Sequence, residues 1–373
     1  MKLIIKKDAL ESAMKKIGGV YGQMPKKDAA VIVLQAVVGK KGEGVFKGLT
    51  ITMSNGSSQV ATNIFLEMSS DIPENTSLSV GGELVGAVNA LAGVKGEHYT
   101  ISENGGSIVV AVGDNSVTLS KKVEGVMPVA FDIKNPDVGI EGKVMLEGKS
   151  FKGAVAKILF AALSDDEKAI GGVAVKCTTD GISFRATDSF RLAQSSIGTQ
   201  ATAEFDFVVS PSVLKLIVAT VSNDKVVMIK TEKHLLVQVG NDLWQVALLD
   251  KKYPHRIFED MQKMDRGTII TANKAELLVA LDIVSVSAKE GIVTFEVDGD
   301  KLVAFGEGRV AKATFTYEAD GELPGAITFS NKFFKQCLMA YEGEKVSFST
   351  KKVALFSAEG EGLFVGLCSV AGK

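Results

Sequence analysis

Three stretches of this chain repeat one plan at a spacing of roughly 125–140 residues, and that repeat restricts the possible fold more than any other feature. "LIIKKDALESAMKKI" (3–17), "VMLEGKSFKGAVAKI" (144–158) and "TIITANKAELLVALDI" (268–283) each run from a short β-prone segment through a polar turn into a helical pattern. Leu10, Met14 and Ile17 lie three or four apart, as do Phe151, Val155 and Ile158, and Leu277, Leu281 and Val284. Each set therefore lines one face of a helix. Asp8, Ser150 and Asn273 read as the N-caps. A second set interleaves with the first: "LSVGGELVGAVNAL" (78–91), "FVVSPSVLKLIVATV" (207–221) and "ITFSNKFFKQCLMAY" (327–341), again strand, turn and short helix. Between the two sets sits a hairpin in each third: "LTITMSNGSSQVAT" (49–62), "ISFRATDSFRLAQS" (182–195) and "LVAFGEGRVAKATF" (302–315). Each alternates with period two on both sides of a turn.

A repeat of this length means tandem domains, and the pattern predicts three, at 1–138, 139–254 and 255–373. The breaks fall in "IKNPDVGIEGK" (133–143) and "KKYPHRIFEDMQKMDRG" (251–267), where apolar periodicity is lost. Two helices per copy against many strands predicts an α+β class, with antiparallel sheets carrying the helices on one face. Hydrophobic content of 46% with 23% charged residues supports real cores. The 42 basic and 44 acidic residues exclude a nucleic-acid binder that works by bulk charge, though not one with a local basic face. Three scattered cysteines do not make a disulfide framework, which fits a reducing compartment. The first residues lack a signal-peptide core, and no run reaches the ~18 apolar residues of a membrane helix. The expectation is a soluble cytoplasmic protein, in which Asn55-Gly56-Ser57 is a turn rather than a glycosylation acceptor.

Catalytic and metal-binding signatures are sparse. His98, His234 and His255 fall in different domains without ligand spacing, and Cys177, Cys337 and Cys368 form no CxxC pair. "GEGVFKG" (42–48) and "GEGLFVG" (360–366) lack the spacing of a phosphate-binding loop. The acidic "SDDE" (164–167) reads as a solvated loop before it reads as a cation site. These absences lead to an expectation of no cofactor, no metal and no enzymatic activity. The "TDS" turn at 187–189 is the one place that resembles a catalytic turn. No base stands near it in sequence, so a hydrolase using Thr187 or Ser189 stays a minor reading, and Asp188 is better explained as an Asx-type turn residue. Phe190 and Leu192 follow on one face of the outgoing strand with Arg191 on the other, at a strand end suited to accepting another protein's side chains.

The stretch "ATDSFRLA" (186–193) resembles the bacterial sliding clamp, the DNA polymerase III beta subunit, whose matching stretch commonly reads Ala-Thr-Asp-Gly-His-Arg-Leu-Ala. Six of the eight residue types are unchanged. The threefold repeat, the "MKLII" start and the Tyr-Pro of "KKYPHR" fit the same family, so the resemblance spans essentially the whole chain. It implies a ring of two head-to-tail chains around duplex DNA, helices inside and sheets outside, tethering polymerase without sequence preference. A closed ring holds DNA topologically and tolerates a slightly acidic net charge, needing only loose phosphate contacts from inward helices.

On that resemblance the DNA-facing candidates are Lys15 and Lys16 on the first helix, Lys152 and Lys157 on the third, Lys215 on the fourth, Lys332 and Lys335 on the last, and Lys26 with Lys27 in a loop. A groove for short peptides of polymerase and clamp-loader subunits is implied at Ile170, Thr187, Ser189, Phe190, Arg191, Leu192, Pro254, Val365, Leu367 and Cys368. Phe190 stands where the family has His, and Cys368 where it has Pro, so the groove's location is implied and its peptide preference is not. The homodimer seam is implied at Val117 and Leu119 on one side and Ile283 and Val284 on the other. A non-enzymatic β-rich repeat protein with a structural or protein-binding role is the alternative.

Overall fold

The computed structural model describes residues 1–22, 30–41, 44–55, 58–72, 76–122, 139–163, 168, 170–286, 291–298, 301–306, 309–322, 325–350, 353–357 and 362–369. The chain begins β1 (Lys2–Lys6), α1 (Lys7–Gly22), β2 (Val31–Lys41), β3 (Gly44–Ser54), β4 (Ser58–Phe65), β5 (Ser77–Gly81), α2 (Glu83–Leu91), β6 (His98–Asn104), β7 (Ser107–Val112) and β8 (Asn115–Ser120). It continues through β9 (Ile140–Glu147), α3 (Gly148–Ala156), β10 (Val173–Cys177), β11 (Gly181–Thr187), β12 (Arg191–Gly198), β13 (Phe205–Val209), α4 (Pro211–Thr220), β14 (Lys225–Thr231), β15 (His234–Val239) and β16 (Asp242–Ala247). Then come α5 (His255–Gln262), β17 (Ile269–Asn273), α6 (Lys274–Ser285), β18 (Ile292–Asp298), β19 (Lys301–Phe305), β20 (Lys312–Thr316) and β21 (Glu318–Ala319). The last elements are β22 (Ile327–Ser330), α7 (Asn331–Met339), β23 (Lys345–Ser349), β24 (Val353–Ser357) and β25 (Leu363–Cys368). The strand–helix pairs β1–α1, β9–α3 and β17–α6 recur in step with β5–α2, β13–α4 and β22–α7, which are the two sets read from the sequence.

Helical spacing identified the core correctly. All nine residues of the three apolar triplets, Leu10 through Val284, are at most 1% exposed. Burial on that scale stabilises by about 1.5–3 kcal/mol per large aliphatic or aromatic side chain, which offsets the low propensity of short helices to form alone. The caps were read less well. Asn273 caps α6, its side chain accepting from the Ala275 and Glu276 amides. Asp8 and Ser150 instead lie inside the first turns of α1 and α3. Ser330, at the start of α7, caps through the Phe333 amide. The supposed linker 251–267 contains a helix, α5, because Phe258 and Met261 recur at helical spacing among the charges.

The chain divides into two compact units, Met1–Gly148 with Ser212–Leu248, and Lys149–Pro211 with Leu249–Lys373. The first holds the sheets β1-β6-β7-β8 and β5-β2-β3-β4-β16-β15-β14-β9. The second holds β13-β10-β11-β12-β25-β24-β23-β17-β21 and β20-β19-β18-β22. All pairings between these strands are antiparallel, the consecutive ones through hairpins and others, such as β1 with β6 and β12 with β25, between strands far apart in sequence. The middle repeat is shared: its β16 continues the sheet of the first repeat through β4, and its β12 continues the sheet of the last through β25. In the first unit the buried Trp244 lies on β16. The second is centred on Phe334, whose ring lies 5.1 Å from Phe295, 5.2 Å from Phe348 and 5.0 Å from Phe356. Such edge and tilted contacts are the favoured aromatic geometry. No described helix is long and apolar enough to cross a membrane.

Candidate functional site

The "TDS" turn closes the β11–β12 hairpin in the second unit, and its polar side chains are spent on its own backbone. Asp188 Oδ1 accepts from the amides of Phe190 (3.0 Å) and Arg191 (2.8 Å). Thr187 Oγ1 donates to the Arg191 carbonyl at 2.7 Å. Ser189 takes a positive φ of 78°, in the left-handed region where the family's glycine would sit without strain. This is the Asx turn expected from sequence, and it leaves the Thr187 hydroxyl committed to a main-chain acceptor.

Arg191 differs from its expected role. Its guanidinium pairs with Asp188 through Nε (3.0 Å) and Nη2 (2.5 Å) and donates from Nη1 to Gln336. It also lies 4.0 Å from the Phe333 ring centre and 5.5 Å from that of Phe160. With 9% of its surface exposed, Arg191 bolts the hairpin to α7. Phe190 is the outward residue, 60% exposed, with its ring 6.0 Å from Phe333. Leu192, at 6%, points inward instead of sharing its environment.

Pairing of β12 with β25 brings the two distant halves of the expected groove together. Arg191 sits opposite Leu367, Leu192 opposite Gly366, and Ala193 opposite Val365. The Cys368 amide donates to the Phe190 carbonyl at 2.9 Å, and Cys368 Sγ lies 4.0 Å from the Ser189 carbonyl. Ser189, Phe190 and Cys368 form the exposed rim. Thr187, Leu192, Val365 and Leu367 are buried beneath it, because sheet pairing and the packing of both faces leave their side chains no outward path. In this structure their side chains lie under the rim, covered. Pro254, half-buried, starts α5, and Ile170 is half-buried in a turn of the same unit.

Beneath Leu192 lies an apolar cluster of Ala174, Val208, Tyr253 and Phe258, with Leu249, Met261 and Phe364 packed against it. Sequence reading missed this part, including Arg185, whose side chain is 7% exposed. Its Nη1 lies 3.3 Å from His255 Nδ1, and the His255 Nε2 lies 3.7 Å from Asp206 Oδ2. Burial holds the His255 imidazole below its ordinary pKa, and the adjacent Arg185 adds to this; Asp206 acts in the opposite sense. The Phe258–Met261 spacing was the available signal, hidden by the charges around it.

The candidate DNA-facing lysines divide into free and engaged. Lys15, Lys152, Lys215 and Lys332 are exposed on α1, α3, α4 and α7. Lys16 is bound to Asp242 at 2.7 Å, a carboxylate that is itself buried and also accepts from Thr62 Oγ1 at 2.7 Å. Lys157 pairs with Glu342 at 3.2 Å and Lys335 with Asp282 at 2.5 Å. Lys26 and Lys27 lie outside the described residues, as does "SDDE" (164–167). At the expected seam, β8 is the edge strand of its sheet, with Val117 half-buried and Leu119 9% exposed. On α6, Ile283 is 45% exposed, whereas Val284 is fully buried. Val284 belongs to the core triplet, and its side chain is spent within its own unit. Among the described residues no His, Cys, Asp and Glu side chains gather as a metal site.

Comparison with known proteins bears on the whole arrangement. A family model for the DNA polymerase III beta subunit, central domain, matches residues 145–255. The beta sliding clamp of Micrococcus luteus is 29% identical over 159 residues, 41% of this chain and 49% of the relative. That match spans about half the relative's length. The DNA polymerase III beta subunit of Thermotoga maritima superposes with a TM-score of 0.83 at 16% identity, each chain covered completely. The chain has the sliding-clamp fold. The matched segment 145–255 includes the 187–191 turn, Tyr253 and Pro254. The clamp of Pseudomonas aeruginosa bound to griselimycin (TM-score 0.85, 15% identity) and the beta chain of Streptococcus pneumoniae (0.83, 20%) also match over the full length of both chains. At such identities the likeness is one of fold.

Proposed function

We propose that this protein is a DNA sliding clamp: a non-enzymatic, cytoplasmic processivity factor that encircles duplex DNA and tethers a polymerase. Three clamp domains, 1–138, 139–254 and 255–373, from each of two chains would make the ring. Its seam would pair the β8 edge, near Val117 and Leu119, with the region of Ile283. DNA would be held topologically, with Lys15, Lys152, Lys215 and Lys332 supplying mobile, sequence-independent phosphate contacts. Short peptides of polymerase and clamp-loader subunits would dock at the Ser189–Phe190–Cys368 rim.

The observation that carries this reading is the junction of β12 with β25. It fastens the turn of "ATDSFRLA" to the C-terminal strand, within a fold that matches clamps over its full length. The test is solution mass by light scattering, together with retention on nicked circular DNA before and after linearisation. A two-chain mass with retention lost on linearisation is expected. A persistent monomer that never stays on circular DNA would leave the fold and remove the function.

A further inference from the structure

The helix α5 covers the cluster beneath the rim chiefly with Phe258, and its Met261 packs against the same cluster. Phe258 is fully buried and stacks on Tyr253, with ring centres 6.3 Å apart and planes inclined at 27°. The Arg185 guanidinium lies 5.5 Å from the same ring. Phe258 is the one fully buried residue of α5. On either side of it the helix is solvated: the Arg256 side chain is 88% exposed, that of Asp260 64%, and Ile257 41%. The N-terminus of α5 has no side-chain cap, since Pro254 occupies that position; its first residue, His255, meets Arg185 and Asp206, and Glu259 on the next turn acts electrostatically on Arg185.

The floor under α5 is incompletely satisfied. Among the described residues Arg185 Nε has no hydrogen-bond partner, and the Tyr253 hydroxyl, beside the Thr187 main-chain amide, has no acceptor for its proton. Burial raises the Tyr253 pKa, keeping it a neutral donor. Two buried donors left unused next to a well-filled apolar seat mean that α5 fills the space but not the polar capacity of the pocket.

We infer that α5 is an internal ligand of the Leu192 pocket, a lid whose Phe258 occupies the seat a partner segment takes and must leave for that segment to bind. The inference rests on the proposed partner groove and adds its regulation. An incoming segment that supplies one aromatic side chain and one acceptor, such as a carbonyl or carboxylate, would replace Phe258 and also satisfy Arg185 and Tyr253. Burial of Phe258 alone is worth about one to two decades in a binding constant, and Met261 and the His255 contacts add to what holds the lid.

The test uses the full chain and a fluorescein-labelled peptide copying residues 252–265, followed by anisotropy. The Phe258→Ala chain should bind this peptide at least tenfold more tightly than the unaltered chain, and a peptide carrying Phe258→Ala should lose that gain. Equal affinity for both chains, or none for either, overturns the inference. Hydrogen exchange on the unaltered chain decides independently of how the variant folds. Amides of 257–262 should exchange at least 100-fold faster than those of β11 and β12, whereas exchange in step with those strands overturns it. Neither readout involves DNA, so failure here is distinct from failure of the clamp reading.

Discussion

Replacing Asp188 with alanine removes the acceptor that shapes the 187–191 turn and the counter-charge of Arg191 together. Two backbone amides lose their hydrogen bonds, each worth about 0.5–1.5 kcal/mol. The larger effect is electrostatic. The Arg191 and Asp188 side chains are 9% and 12% exposed, and breaking so buried a pair from one side costs about 3–5 kcal/mol. Gln336, Phe333 and Phe160 continue to hold the guanidinium, so these contributions do not add fully. The expected loss is about 3–5 kcal/mol in urea unfolding followed by far-UV circular dichroism. Trp244 fluorescence is the wrong probe alone, because that residue belongs to the other compact unit. Adding Arg191→Met should recover at least about 1 kcal/mol, since the stranded charge is then gone. Phe190→Ala, at a side chain already 60% exposed, should stay within about 1 kcal/mol of the parent. A loss below about 1 kcal/mol for Asp188→Ala, or strict additivity with Arg191→Met, would refute the view of Arg191 as a buried bolt.

Lys15→Ala and Lys16→Ala should separate surface charge from structure. The first leaves unfolding within about 0.5 kcal/mol, while the second strands the buried Asp242 and costs about 3 kcal/mol by the same unfolding assay. Ile283→Asp should lower the light-scattering mass from two chains to one with little change in chain stability. Val284→Ala should instead destabilise the chain by about 2 kcal/mol without acting specifically on the mass. His255 has a depressed folded-state pKa, so its contribution is present above its ordinary value of 6.5 and is lost as pH falls through the folded value. Protonation would place a second positive charge against Arg185 and remove the acceptor Nδ1. Amides of α5 should therefore exchange faster at pH 5 than at pH 7.5 after correction for intrinsic rates, and an unchanged corrected rate would exclude this clasp.

Much of the fold was legible because helical and strand periodicities are local. The triplets at Leu10, Phe151 and Leu277 announced three buried helix faces, and the hairpins around Asn55 and Asp188 announced themselves through turn chemistry. The Asn55 carboxamide does accept from the Ser58 amide, at 2.7 Å. The caps were less legible, since a polar residue one or two positions inside a helix looks the same in sequence as one at its start. The helix α5 was obscured because only Phe258 and Met261 carried its period, among residues that read as linker.

What the sequence determined by itself was the repeat, the order of the repeated strand–helix pairs and the apolar helix faces that meet the cores, all consequences of spacing along one strand or helix. It also placed the 187–191 turn, whose hydrogen bonds close within five residues. Only the tertiary structure could decide that Arg191 is locked under Phe333 and that Lys16 is consumed by Asp242. Each of those outcomes depends on a partner tens to hundreds of residues away. The same holds for the middle repeat, divided between two compact units because β4 pairs with β16 and β12 with β25. Sheet edges join wherever backbone donors and acceptors remain unpaired, and that information belongs to the assembled fold rather than to any one segment.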